Sequence, residues 1–176
     1  MTDDAFLHWL AGFIDGEGCF AIKPANNGRG HFSCWQSIKL RADDEDILRE
    51  ICERTGLGSV SRPRIDHGRA EINGSPSLRW VVATKQDCAR LVCILDGHPL
   101  RAKKARDFAI WRQAVSVWCR VERANPRSPA LKLSQNARLW VEMARLREEL
   151  RLLRVYSDAA DVFPKVVSSD LDAALF

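Results

Sequence analysis

Nine residues, Leu10-Ala11-Gly12-Phe13-Ile14-Asp15-Gly16-Glu17-Gly18, place the tightest limit on what this chain can become. Phe6, Leu7, Leu10, Phe13 and Ile14 recur at helical spacing behind three N-cap candidates, Thr2, Asp3 and Asp4, so the run predicts an amphipathic helix. Gly16 and Gly18 permit the positive-φ backbone that ends helices, which predicts a stop at an acidic turn. Ala11 and Gly12 are small residues among bulky ones. They allow a second backbone to approach closely, and that packing offsets a glycine helix penalty of roughly 1 kcal/mol. The plain alternative is a solvent-facing helix capped by Gly16, with Asp15 and Glu17 as solvated turn residues, and short motifs alone do not exclude it.

All nine positions match in type the signature of the LAGLIDADG homing endonucleases, and a strand-like segment follows in which Phe20 and Ile22 alternate with Ala21 and Lys23. The resemblance implies that two such helices pack about a twofold or pseudo-twofold axis, with the second acid of each motif at a divalent-metal site. Carried over by position, that acid is Glu17, and Leu10, Ala11, Gly12 and Phe13 belong to the helix interface. Glutamate keeps a hard oxygen ligand suited to Mg²⁺, with Mn²⁺ as a substitute. Asp15 is assigned to orienting the turn.

A length of 176 residues is one domain's worth of chain. A near match from Leu91 to His98 has Cys93 where the close-packing glycine belongs and His98 where the metal-binding acid belongs, so it reads as an ordinary amphipathic helix entering a turn. One motif per chain implies a homodimer and, through its symmetry, a roughly palindromic DNA target.

From His31 to Arg41 one parity set, Phe32, Cys34, Gln36, Ile38 and Leu40, is largely apolar and is expected to face helices. The other set, His31, Ser33, Trp35, Ser37, Lys39 and Arg41, is expected on an open surface. Acids at Asp43 to Asp46 begin a helix with Ile47, Leu48, Ile51 and Cys52 inward, closed by Gly56-Leu57-Gly58. A second hairpin is expected from Ser59 to Arg64 and Leu78 to Thr84, and further helices near Gln86 to Leu95 and Lys103 to Arg120. This order is the αββαββα arrangement implied by the resemblance: an α+β fold whose curved four-stranded antiparallel sheet forms a DNA-binding saddle in the dimer.

The expected divisions are a core domain over 1–122, a linker and C-terminal amphipathic helix over 123–156, and an acidic tail over 157–176 with a composition compatible with disorder. Leu139, Met143, Leu146, Leu150 and Leu153 repeat with 4-3-4-3 spacing, which predicts a helix packed on its own domain.

The net charge is +4, but Asp158, Asp161, Asp170 and Asp172 against Lys165 give the last twenty residues −3 and leave +7 on the rest, a balance compatible with nucleic acid. Candidate base and phosphate contacts are Lys23, Arg29, His31, Ser33, Ser37, Lys39, Arg62, Arg64 and Arg79. Resemblance adds two catalytic candidates. Family members often carry a lysine at the start of the helix after the second hairpin, and Lys103 is its counterpart. Many carry a glutamine near the end of the second strand; this chain reads Lys39-Leu40-Arg41-Ala42 there, so Arg41 or Lys39 substitutes or the contact is absent.

Six cysteines without a C-x-x-C pair and four scattered histidines give no zinc-site spacing. Met1-Thr2-Asp3-Asp4 has no basic n-region, and no apolar run approaches the ~20 residues of a membrane span, so neither secretion nor membrane insertion is expected. A cytoplasmic, nucleoid-associated or organellar protein with reduced thiols fits these features. The expected activity is a metal-dependent, staggered double-strand cut in a long DNA site. A group I intron RNA maturase, or a non-catalytic DNA-binding regulator, is the alternative on the same scaffold.

Overall fold

The computed structural model describes residues 3–24, 31–63, 76–122 and 129–158. Helix α1 (Asp4–Glu17) begins where Asp3 accepts a hydrogen bond from the Ala5 amide, and it buries Phe6, Leu10, Ala11 and Ile14. It does not stop at a left-handed glycine. Gly16 lies within the helix, and Gly18 has φ −70° and ψ 149°, so α1 passes directly into strand β1 (Gly18–Pro24). Gly18 is needed for space instead, because a Cβ there would lie 2.4 Å from the Ile14 carbonyl oxygen.

Strand β2 (Phe32–Arg41) pairs antiparallel with β1 and with β4 (Ser77–Val82), and β4 pairs with β3 (Ser59–Val60), giving the order β1-β2-β4-β3. The parity expected for β2 holds: Cys34, Gln36 and Ile38 are buried while Lys39 and Arg41 are exposed. The third strand is shorter than expected. At Ser61 the backbone N–H still donates to the Arg79 carbonyl, but the Arg79 N–H donates to the Ser61 hydroxyl rather than to a backbone carbonyl. Pro63 then removes a donor from any continued ladder. Residues 64–75 lie outside the described set.

A 3-10 turn (Ala42–Asp44) leads into α2 (Glu45–Thr55), which buries Leu48, Ile51 and Thr55 and ends on Gly56 at φ 61°. Helix α3 (Lys85–Gly97) is capped by Thr84, whose hydroxyl accepts from the Asp87 amide, and buries Cys88, Leu91 and Leu95. Helix α4 (Lys104–Arg120) contributes Phe108, Ile110, Trp111, Ala114, Val115 and Val117 to the core. Helix α5 (Pro129–Asp158) starts on a proline, whose missing N–H costs nothing in the first turn, and packs along α4 with Met143, Leu146 and Leu150 buried. Its 4-3 repeat thus serves its own domain. Trp140 from this helix stacks on His31, with ring centroids 4.8 Å apart.

Two polar devices tie the helices together. The buried Asp107 accepts from Arg154 at 3.3 Å and lies 3.7 Å from the Lys104 ammonium, while Arg154 also donates to the Phe20 carbonyl. His98, at the end of α3, places Nε2 2.8 Å from the Asp4 carboxylate. That hydrogen bond lowers the Asp4 pKa and raises that of His98, which also bonds the Ile94 carbonyl. The contact is strongest where Asp4 is ionised and His98 protonated. It weakens as Asp4 protonates at low pH or as pH rises through the raised His98 value.

The Cys88 thiol is pushed up to about 12 by burial, and burial also raises Cys34. Both are core residues without nucleophilic character.

Gln36 is fully buried, and neither side-chain polar atom has a partner among the described residues. An unpaired buried amide costs about 1–3 kcal/mol. Gln36→Met, similar in length and apolar, is expected to raise the melting temperature by about 2–4 °C for each kcal/mol recovered. Scanning calorimetry checks this, and a lower melting temperature would mean that the amide is engaged.

Candidate functional site

The site is built around the far end of α1. Glu17 is the last helical residue and is exposed, and no hydrogen bond or ion pair holds its carboxylate among the described residues. The last carbonyls of a helix carry partial negative charge, so the helix end and Glu17 both favour a cation. Among the described residues, the only group of three potential metal ligands is Asp4, His8 and His98, toward the other end of α1.

Asp15 has a different task from the one its position in the motif suggested. Its Oδ2 accepts hydrogen bonds from the backbone N–H groups of Arg101 and Ala102, at 2.7 and 2.6 Å. It orients a segment 86 residues away rather than its own turn. Lys103 comes next, at the N-cap position of α4, exposed and in no ion pair among the described residues. Lys104, by contrast, lies within reach of Asp107. The carboxylate of Asp15 thus couples the motif helix to the backbone that presents Lys103.

The four residues expected at the helix interface divide between two faces of α1. Leu10 and Ala11 are 0% and 4% exposed within their own domain, so they pack inward. Phe13 is half-buried and stacks on Trp9, with centroids 5.1 Å apart. The outward stripe is Ala5, Trp9, Gly12 and Gly16, at 4-3-4 spacing. A Cβ built on Gly12 or Gly16 would meet nothing within 4 Å. Helical phase explains the difference: the 3.6-residue period carries the inward face through Leu10 and Ala11 and leaves Gly12 outside.

The open face of the sheet carries most of the described nucleic-acid candidates. Lys39 and Arg79 stand directly opposite each other on β2 and β4, and Ser37 lies between Cys19 and Val81 in the next row of that face. Lys23 pairs across from Ser33, and its ammonium sits 3.6 Å from the centre of the Trp35 ring. That cation–π contact gives Trp35 a partner on the open face. Arg62 is exposed beyond β3. His31 is held by Trp140, and Arg41 pairs with Asp43 through contacts of 3.2 and 3.1 Å. Arg29 and Arg64 lie outside the described residues. Among the described residues, no helix is long and apolar enough to cross a membrane.

Comparison with known proteins fits this geometry. Residues 10–115 match the sequence profile of the family described as LAGLIDADG endonuclease, and this chain belongs to that family. A Schizosaccharomyces pombe protein, "Probable intron-encoded endonuclease Cox1-I1b", is 25% identical over 155 residues, covering 87% of this chain and 35% of that protein. A Saccharomyces cerevisiae protein, "Intron-encoded RNA maturase bI4", is 29% identical over 103 residues, covering 58% of this chain and 14% of that protein. This chain therefore spans about a third or less of these curated relatives. Among solved structures, the homing endonuclease I-CvuI in complex with its target matches with a TM-score of 0.63 at 16% identity, covering 85% of this chain and 82% of that one. The likeness establishes the fold, a four-stranded antiparallel sheet under helices.

Asp15→Ala leaves the Arg101 and Ala102 amides without their acceptor, and a cost of about 1–3 kcal/mol is expected in urea denaturation. Hydrogen exchange should accelerate at those two amides more than at the amides of α4. Unchanged exchange there would mean that Asp15 does not hold the segment.

Proposed function

We propose that this chain acts as a homodimeric, divalent-metal-dependent, site-specific DNA endonuclease of the homing type. The observation that carries the reading is the isolation of Glu17 beside an open stripe of small residues: one carboxylate per chain, on a helix whose Gly12 and Gly16 leave room for a second backbone. Packing two copies of α1 along that stripe brings two Glu17 carboxylates to one axis. The hard oxygen donors of that pair, with the phosphates of bound DNA, suit Mg²⁺. A bound cation there supplies Lewis-acid polarisation of the scissile phosphate and a water of lowered pKa.

The chain's own residues do the rest. Glu17 sits at the tip of α1, where the helix enters the sheet, so it lies at the edge of the face that carries Lys23, Ser33, Ser37, Lys39, Arg62 and Arg79. Those side chains suit phosphates and base edges in the major groove. Lys103, fixed through the grip of Asp15 on the preceding backbone, supplies a positive charge for the transition state. Twofold symmetry predicts a roughly palindromic target cut on both strands. The match to an RNA maturase supports a second reading, in which the same charged face binds a structured intron.

The deciding assay incubates the protein and Mg²⁺ with DNA representing the joined flanks of its gene, and with the same DNA interrupted by that gene. A staggered cut confined to the uninterrupted substrate supports homing. Promotion of intron splicing without such a cut favours the maturase. Glu17→Gln is expected to abolish cleavage while preserving target binding in Ca²⁺, and Lys103→Ala to slow cleavage on the order of a hundredfold, as loss of one transition-state donor does. Full activity of Glu17→Gln would remove the metal-ligand assignment.

Assembly has its own test. Gly12→Leu meets open space within its own chain, so the monomer is expected to keep its melting temperature within about 1 kcal/mol of equivalent stability. The dimer is expected to weaken sharply in sedimentation velocity. A dimer of unchanged affinity would place the interface elsewhere.

A further inference from the structure

We propose that Asp4, His8 and His98 form a binding site for a divalent cation of the zinc class, separate from Glu17 and independent of the endonuclease reading. Asp4 and His8 stand one turn apart on α1 and project from one face. His98 reaches them from the end of α3, across 94 residues of chain. Its Nε2 lies 2.8 Å from Asp4 Oδ1, His8 Nε2 lies 3.6 Å from Asp4 Oδ2, and the two imidazole centroids are 4.6 Å apart. All three ligand atoms fall within 4.8 Å of one another. In a tetrahedral zinc site with bonds of about 2.0–2.1 Å, neighbouring ligand atoms sit about 3.3–3.5 Å apart. Small rotations of the exposed Asp4 and His8 side chains, 80% and 60% accessible, close that difference.

The third ligand is already oriented. His98 Nδ1 lies 3.0 Å from the Ile94 carbonyl, the kind of hydrogen bond that fixes a ligating imidazole, so that Nε2 becomes the donor atom once an incoming cation displaces its proton to solvent. Its side chain is 13% accessible, so the ring has little freedom to turn away. Two imidazole nitrogens with one carboxylate select zinc-class cations over Mg²⁺, which takes oxygen ligands, and three protein ligands leave a fourth position for water. A cation here joins the first turn of α1 to the segment running from His98 to Lys103. Asp15 grips the same segment from further along the helix, so α1 would hold it at two points.

The full-length protein is titrated with Co²⁺ at neutral pH in excess Mg²⁺, following the visible ligand-field bands and the near-ultraviolet region where cobalt–thiolate charge transfer absorbs. Zn²⁺ is then used to displace Co²⁺ and to measure its effect on the melting temperature. The expected result is one Co²⁺ per chain with tetrahedral bands and no thiolate band, displaced by Zn²⁺ with a rise in melting temperature. His8→Ala and Asp4→Asn alter exposed positions, and circular dichroism verifies their folding. Each is expected to weaken Co²⁺ binding by more than about tenfold, the scale on which even outer-shell losses act. Glu17→Gln is expected to bind Co²⁺ as the wild type does. The proposal is overturned by absence of binding, by a thiolate band that persists in His8→Ala, or by loss of binding in Glu17→Gln.

Discussion

The junction at Gly18 is the constraint on which the rest of the structure depends. Helix α1 becomes strand β1 within a single residue, and that residue has no room for a side chain against the Ile14 carbonyl. A longer connection would separate the helix tip from the sheet. Because there is none, Glu17 is fixed at the point where helix and open sheet face meet, and Leu10 and Ile14 are fixed against the core beneath it. The acid's position is thus set by backbone geometry rather than by hydrogen bonds to its carboxylate.

Helix α1 carries three separate tasks on three faces. Phe6, Leu10 and Ile14 build the core, Asp15 and the Asp4–His98 contact fasten the segment before α4, and Ala5, Trp9, Gly12 and Gly16 are left outward. Exposed Trp9 stacked on Phe13 next to two glycines is an unusual surface for a solvated helix, since it joins apolar area to residues of poor helix propensity. On the sheet, Lys39 stands directly opposite Arg79, which gathers two cations in one row of the open face.

Local periodicity made much of this fold legible in the amino-acid order. The alternation of β2, the Gly56 cap of α2 and the leucine repeat of α5 each express a pattern within a few turns of chain, and each took the form expected. The phase of α1 was less legible, because small residues suit both a tight core and an open surface; packing placed Ala11 in the first and Gly12 on the second. Strand β3 shortened because a serine hydroxyl replaced a backbone acceptor, which no propensity scale records. The partners of Asp15 and Asp4 lie 86 and 94 residues away, and the histidines that spacing rules dismissed as scattered include two that meet at Asp4. Spacing rules detect ligands close in sequence and are blind to this case.

The clamp made by Arg154 also bears on the border of the sheet. Strand β1 is an edge of the sheet, and edges offer unpaired backbone groups to any other strand that arrives. Arg154 occupies the Phe20 carbonyl on that edge, and Trp140 stacks on His31 just ahead of the paired strand β2. Both contacts come from α5, and Arg154 lies 134 residues from Phe20. A helix distant in sequence therefore closes a border of the sheet, and a chain lacking α5 would leave that border open to strand exchange with other copies.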